Sequence, residues 1–202
     1  MIIDKDIQIY QIVISGNSVS EYYAEKSVYS FQQLGYNNIQ RVEATTPDNY
    51  SSMWPPAFLP FKRSREYNAK RSRDWLPEEQ AIWYSHYTCW ERVDQPSLII
   101  EHDCMLYKEI PDHLSKRNLW SFGMTEDGRN LAALGYYIKP SAAKRLRSIQ
   151  SISAPVDAWI HRLQPWYEYG RLSKNYIDKN VCAKHYINEE VGTSKPTVGA
   201  TL

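Results

Sequence analysis

The chain has 202 residues and a net charge of +1, with 43% hydrophobic and 23% charged residues. That balance excludes wholesale disorder and a protein that coats nucleic acid by charge alone. No apolar run approaches the ~18 residues of a membrane span, the first residues read as no signal peptide, and three cysteines are too few for a disulfide framework. A cytoplasmic setting is therefore expected. Sixteen Tyr and seven Trp exceed what a core of this size needs, so some of them are expected to face a ligand or partner.

In chain order, Ile7-Gln8-Ile9-Tyr10-Gln11-Ile12-Val13-Ile14 alternates and then turns continuously apolar, as a strand entering a buried sheet does. Ser18 or Ser20 is the expected cap of a following helix that carries Tyr22, Tyr23, Val28, Phe31 and Leu34, with Gly35 at its C-terminal end. Ile39-Gln40-Arg41-Val42-Glu43-Ala44 is a second strand. This β-α-β opening predicts a parallel sheet with helices on its faces.

Across residues 45–77 Pro47, Pro55, Pro56 and Pro60 break any long element, and the stretch reads as an irregular basic, aromatic insert. Pro77-Glu78-Glu79 then opens a helix to about Val93, with Ile82, His86, Cys89, Trp90 and Val93 as its apolar face. Ser97-Leu98-Ile99-Ile100 is a short buried strand that runs into Glu101-His102-Asp103. Two more strands are expected at residues 119–122 and 132–138, separated by a polar turn, followed by helices at residues 140–149 and 155–163. The expected organisation is one α/β domain over residues 1–188 and a tail at 189–202.

Glu101 and Asp103 stand two apart at the end of a buried strand, where open α/β sheets place their ligands. In an extended segment both would point the same way, offering hard oxygen ligands for Mg²⁺ or Mn²⁺ and, through it, a diphosphate. His86-x-x-Cys89, His102-x-Cys104 and Cys182-x-x-His185 have tolerable zinc spacing, but no tight Cys-x-x-Cys is present and Cys89 lies on an apolar helix face, so structural zinc is not expected.

The stretch Glu79-Gln80-Ala81-Ile82-Trp83-Tyr84-Ser85-His86-Tyr87-Thr88-Cys89-Trp90, followed by Leu98-Ile99-Ile100-Glu101-His102-Asp103, resembles glycosyltransferase family 25, the group that includes lipooligosaccharide galactosyltransferases. That family pairs a Glu-led helix bearing Ser-His, with Trp four residues later, and a strand ending in Glu-Asp-Asp. Ile12-Val13-Ile14-Ser15, Arg41-Val42-Glu43-Ala44 and the run from Gly135-Tyr136-Tyr137-Ile138 through Ala142-Ala143-Lys144 to Pro155-Val156-Asp157 match further family segments in order. His102 stands where the family has its middle acid.

The resemblance implies a GT-A-like, Rossmann-like domain with a mostly parallel central sheet and helices on both faces. It implies transfer of a sugar from a nucleotide-diphosphate donor, a UDP-sugar first, to a hydroxyl with inversion. Asp103 would hold Mn²⁺ or Mg²⁺ with help from Glu101 and His185. Ser15, Glu79, His86 and Glu101 would line the donor site, and Asp157 would be the general base, with Glu126 and Asp127 as fallbacks.

Lys62, Arg63, Arg65, Lys70, Arg71 and Arg73, bracketed by Phe61 and Trp75, form a local positive, stacking-competent patch. Arg63, Arg65, Arg71, Arg73 and Trp75 are the expected acceptor contacts. The acceptor is then a polyanion, either a hydroxymethylated pyrimidine in DNA, as virus-encoded transferases use, or a phosphorylated surface glycan such as lipooligosaccharide. The alternative is a nucleic-acid-binding module on a catalytically dead transferase scaffold.

Overall fold

The structure, a computed structural model of the chain, describes residues 2–50, 75–124, 133–153, 155–163 and 183–185. The elements, in chain order, are β1 (Gln8–Val13), α1 (Ser18–Gln33), β2 (Ile39–Glu43), α2 (Pro77–Arg92), β3 (Ser97–Glu101), β4 (Cys104–Leu106), a 3₁₀ turn (Asp112–Lys116), β5 (Leu119–Ser121), β6 (Gly123–Met124), β7 (Gly135–Ile138), α3 (Pro140–Arg147), α4 (Val156–Leu163) and β8 (Ala183–His185). A five-stranded sheet has the order β2-β1-β3-β7-β5, and a small second sheet has the order β4-β8-β6.

The expected β-α-β opening is present: β1 pairs in parallel with β2 and β3. The sheet is nevertheless mixed. β7 is antiparallel to both β3 and β5, so it runs against the other four strands. The chain re-enters the sheet where β5 ended, with Ser121 opposite Tyr136, and an adjoining strand that starts there must run back.

Period-two alternation sorts the buried side chains onto two faces. Ile9, Leu98, Ile100, Trp120 and Tyr137 point to one side and pack with Phe31 and Tyr36 at the end of α1. Tyr10, Ile12, Ile99, Leu119, Tyr136 and Ile138 point to the other, against α2, α3 and α4. Each fully buried Leu or Ile in these layers stabilises by about 1.5–3 kcal/mol. Helices thus cover both faces.

Asn17, rather than Ser18 or Ser20, caps α1: its side-chain oxygen accepts from the N–H groups of Val19 and Ser20. Ser20 is buried and instead accepts from the Ile14 N–H at 3.0 Å, tying the helix start to the end of β1. At the other end Gly35 has φ +87°, its N–H bonds Gln32 O, and the Tyr36 N–H bonds Phe31 O. The rings of Phe31 and Tyr36 meet edge-on at 6.2 Å, which completes a Schellman stop with its hydrophobic contact.

α2 is buried on nearly every side, not along one stripe: Ala81, Trp83, Tyr84, Ser85, His86, Tyr87, Cys89 and Trp90 are all inside, whereas Ile82 is only partly covered. The helix lies between the sheet and the pair α3 and α4, so it needs apolar surface all round. Trp83 meets the rings of Tyr84, Tyr87 and Trp90 within 5.9 Å. Much of the aromatic excess is therefore core, although Tyr22, Tyr29 and Tyr107 do face solvent. Gly135 is required by close approach: a Cβ there would lie 2.7 Å from Phe122 Cε2 and 2.9 Å from Cys104 Sγ.

No helix among the described residues is long and apolar enough to cross a membrane. Of the insert read at residues 45–77, residues 51–74 lie outside the described residues. Tyr50 and Trp75 at its two ends are partly buried against the α2-side core.

Candidate functional site

Because β1, β2 and β3 are parallel, they finish at one edge of the sheet, at Val13, Glu43 and Glu101. β7 begins at that edge: Gly135 lies opposite Ile100, and the Glu101 N–H bonds Leu134 O at 2.9 Å. This is the edge where α/β sheets bind ligands. Its acidic members come from separate elements.

Glu101 is the last residue of β3, and its side chain is 28% exposed. Behind it His86 Nε2 lies 3.3 Å from Glu101 Oε1, and His86 Nδ1 lies 2.9 Å from the Tyr136 hydroxyl. Trp90, one helical turn after His86, donates its indole N–H to the same hydroxyl at 2.8 Å. The His86 and Tyr136 rings stack at 5.7 Å, and all three of His86, Trp90 and Tyr136 are fully buried.

Donor and acceptor chemistry orders this chain. Indole can only donate, so Tyr136 oxygen accepts from Trp90 and has its own hydrogen to give to His86 Nδ1. With Nδ1 as the acceptor, the imidazole carries a hydrogen on Nε2 and donates it to the Glu101 carboxylate. Burial holds the Tyr136 phenol well above its ordinary range, against the lowering effect of the Trp90 hydrogen bond, so Tyr136 remains a donor.

Asp157 stands in the first turn of α4. Its Oδ1 accepts the Ala133 N–H at 2.7 Å, which fixes the chain leading into β7. Burial, and then the negative charge of Glu101, hold the Asp157 carboxyl above the usual carboxylate range; the Ala133 N–H and His86 pull the other way. The negative charge of Glu101 thus reaches Asp157.

Asp103 is buried at 9% exposure, but the extended Glu101–Asp103 geometry expected from sequence is absent. His102 and Asp103 form a turn between β3 and β4, because the chain leaves the main sheet to join the second one. A turn does not set the two carboxylates on one side, as an extended segment would. β8 pairs with β4 so that His185 lies opposite Cys104, which brings its backbone beside the Asp103 turn. A Mg²⁺ or Mn²⁺ held through one or two carboxylates and substrate phosphates suits the hard oxygens of Asp103 and Glu101. Among the described residues no group of three or more His, Cys, Asp and Glu is arranged to hold a metal.

The other expected contacts are arranged differently. Both ring nitrogens of His86 are engaged within the protein, so it reaches a ligand only through Glu101. The Ser15 hydroxyl donates to Glu43 Oε2, and the Ser15 N–H bonds Glu43 Oε1 at 3.3 Å. Glu79 accepts the Leu76 N–H at 3.0 Å as the capping carboxylate of α2. Cys89 and Cys104 are buried free thiols, and burial pushes Cys89 up to about 12, far from a thiolate ligand. Arg63, Arg65, Arg71, Arg73, Glu126, Asp127 and Cys182 lie outside the described residues.

Sequence reading missed Tyr136 and Glu43 as members of this edge. Two signals pointed to Tyr136's neighbourhood: His86 and Trp90 share a helix face at i,i+4, and Tyr136 shares a strand face with Ile138. No family model matches the chain, and no curated protein matches it.

Proposed function

We propose that the chain is a GT-A-like glycosyltransferase, moving a sugar from a nucleotide diphosphate to a hydroxyl with inversion. One observation supports this reading above all: Asp157, its carboxyl raised by burial and by the charge of Glu101, holds Ala133 beside the carboxyl edge of the parallel strands, where Glu101 is backed by His86 and Asp103 stands in the next turn. The acceptor hydroxyl oxygen attacks the anomeric carbon and gives its proton to Asp157. The bond from that carbon to the diphosphate oxygen breaks, and its electron pair leaves with the diphosphate. A carboxyl held above its ordinary range is a better base than an unperturbed one. The Ala133 N–H keeps Asp157 oriented during the step.

Asp103, with Glu101, is the natural seat for Mn²⁺ or Mg²⁺, which when bound supplies charge neutralisation for the leaving diphosphate. The acceptor is a polyanion, a hydroxymethylated pyrimidine in DNA or a phosphorylated glycan, on the strength of the basic run around Arg63 to Arg73.

The test is turnover of a UDP-sugar panel with Mn²⁺ or Mg²⁺, with hydroxymethylated DNA and phosphorylated oligosaccharide as acceptors. Asp103→Ala and Asp157→Asn are each expected to lower turnover by at least about a hundredfold, in line with the loss of a catalytic group. Equal turnover in wild type and Asp103→Ala removes Asp103 from the reaction. Salt-sensitive DNA binding that survives Asp103→Ala, with no turnover of any donor, favours the binding module instead.

A further inference from the structure

We infer that Tyr136 and Trp90 are positioning residues for Glu101: the buried chain Trp90 → Tyr136 → His86 → Glu101 fixes one imidazole tautomer and aims one carboxylate at the ligand edge. The inference rests on the reading that Glu101 meets the donor or its metal ion, but the relay itself can be tested without any ligand.

Each link passes one hydrogen in the same direction. Trp90 gives to Tyr136 at 2.8 Å, Tyr136 to His86 Nδ1 at 2.9 Å, and His86 Nε2 to Glu101 Oε1 at 3.3 Å. In this direction Nδ1 is bare and Nε2 carries the hydrogen; an imidazolium would instead donate at both nitrogens, with the Tyr136 oxygen accepting from both Trp90 and Nδ1. Three of the four side chains have no contact with solvent, and leaving any of their polar atoms unpaired there costs about 1–3 kcal/mol. The only exit from the chain is the half-buried carboxylate. His86 holds one of its oxygens from behind, and among the described residues its other lone pairs are left for a ligand.

Two independent elements set the relay. α2 contributes both Trp90 and His86 from one helix face, and β7 inserts Tyr136 between them. The stack of His86 on Tyr136, with 29° between the rings, prevents the imidazole from turning away. A histidine present only to fill the core would need a single partner. This one has a partner at each nitrogen, and the second is a strand-end carboxylate.

The experiment is long-range ¹H–¹⁵N NMR of the histidine rings in the full-length protein at neutral pH, with His86 assigned by its loss in His86→Asn. Wild type is expected to show a pyrrole-like Nε2 and a pyridine-like Nδ1. Tyr136→Phe keeps the ring and its stacking and removes only the hydroxyl; it is expected to give a mixture of tautomers and to weaken UDP binding in the presence of Mn²⁺ about tenfold. Trp90→Phe keeps the hydroxyl but frees it, and is expected to shift the tautomer balance less. A wild-type ring that carries a hydrogen on Nδ1, as the other tautomer or as an imidazolium, overturns the inference with no variant needed. So does an unchanged tautomer in Tyr136→Phe, or in Trp90→Phe should Tyr136→Phe fail to fold. Loss of the tautomer with unchanged UDP affinity overturns the positioning role. A wild type that shows the expected spectrum yet binds no UDP supports the relay and overturns the transferase reading.

Discussion

On the α1 side of the sheet, Ile9, Leu98 and Ile100 meet Phe31 and Tyr36 in a layer whose polar members serve the fold. Gln11 reaches Ala24 O, and Ser27 bonds Cys104 O. On the opposite side the layer is aromatic and carries a directed run of hydrogen bonds from Trp90 to Glu101. Both sides are equally dry, so burial does not distinguish them. The distinguishing feature is one run of buried polar groups: Gln11 and Ser27 on the α1 side end on backbone carbonyls, whereas the run through Tyr136 on the α2 side leads out to an acidic strand end. A buried network that ends on a surface carboxylate gives that carboxylate a defined orientation, a requirement of site chemistry that packing alone does not impose.

The largest test of this contrast removes one big ring from each layer. Trp83→Ala and Phe31→Ala should each cost about 3–5 kcal/mol in chemical denaturation. Only Trp83→Ala should also shift the His86 ring resonances, because Trp83 packs edge-on against Trp90 at 5.3 Å. Matching shifts from Phe31→Ala would erase the distinction. Gly135→Ala acts where β7 presses toward the second sheet. With Phe122 and Cys104 inside 3.0 Å of the new methyl, a loss of about 1–3 kcal/mol is expected by the same measurement.

A smaller effect sharpens the electrostatics of the α2 side. Burial and Glu101 raise Asp157 in the folded chain, so the folded state binds that proton more tightly than the unfolded state does. Stability contributed by protonated Asp157 is present below its unfolded value and is lost as pH rises through the raised folded value. Asp157→Asn keeps an oxygen for the Ala133 N–H and removes the charge. The melting temperature of the variant relative to wild type should therefore be higher at pH 7 than at pH 4. A difference independent of pH would mean that Asp157 is not perturbed.

The smallest effect is at Cys89. With its thiol pushed up to about 12 and no exposure, it should resist iodoacetamide at pH 8 in the folded protein, as read by peptide mass. Rapid labelling would show that the α2 layer opens readily.

The sequence by itself determined the β-α-β opening, the Gly35 stop of α1, the Pro77 start of α2 and the placing of Glu101 at a strand end. These follow from signals carried by residues close together in the chain: period-two alternation, a glycine with positive φ, and a proline in a first helical turn. Asn17 in place of Ser18 shows the limit of such signals, since adjacent residues of similar capping power are chosen by how the helix start meets β1. The tertiary structure alone decided that β7 runs backward, that His102 and Asp103 turn away rather than extend, that Asp157 holds Ala133, and that Tyr136 lies between His86 and Trp90. Each of these is a pairing across at least fourteen residues of sequence or a change of sheet, except the turn at Asp103, which follows from such a change. Local propensity carries no record of a distant partner. Strand order and helix packing supply it, because buried polar groups must find their hydrogen-bond partners wherever the fold brings them together.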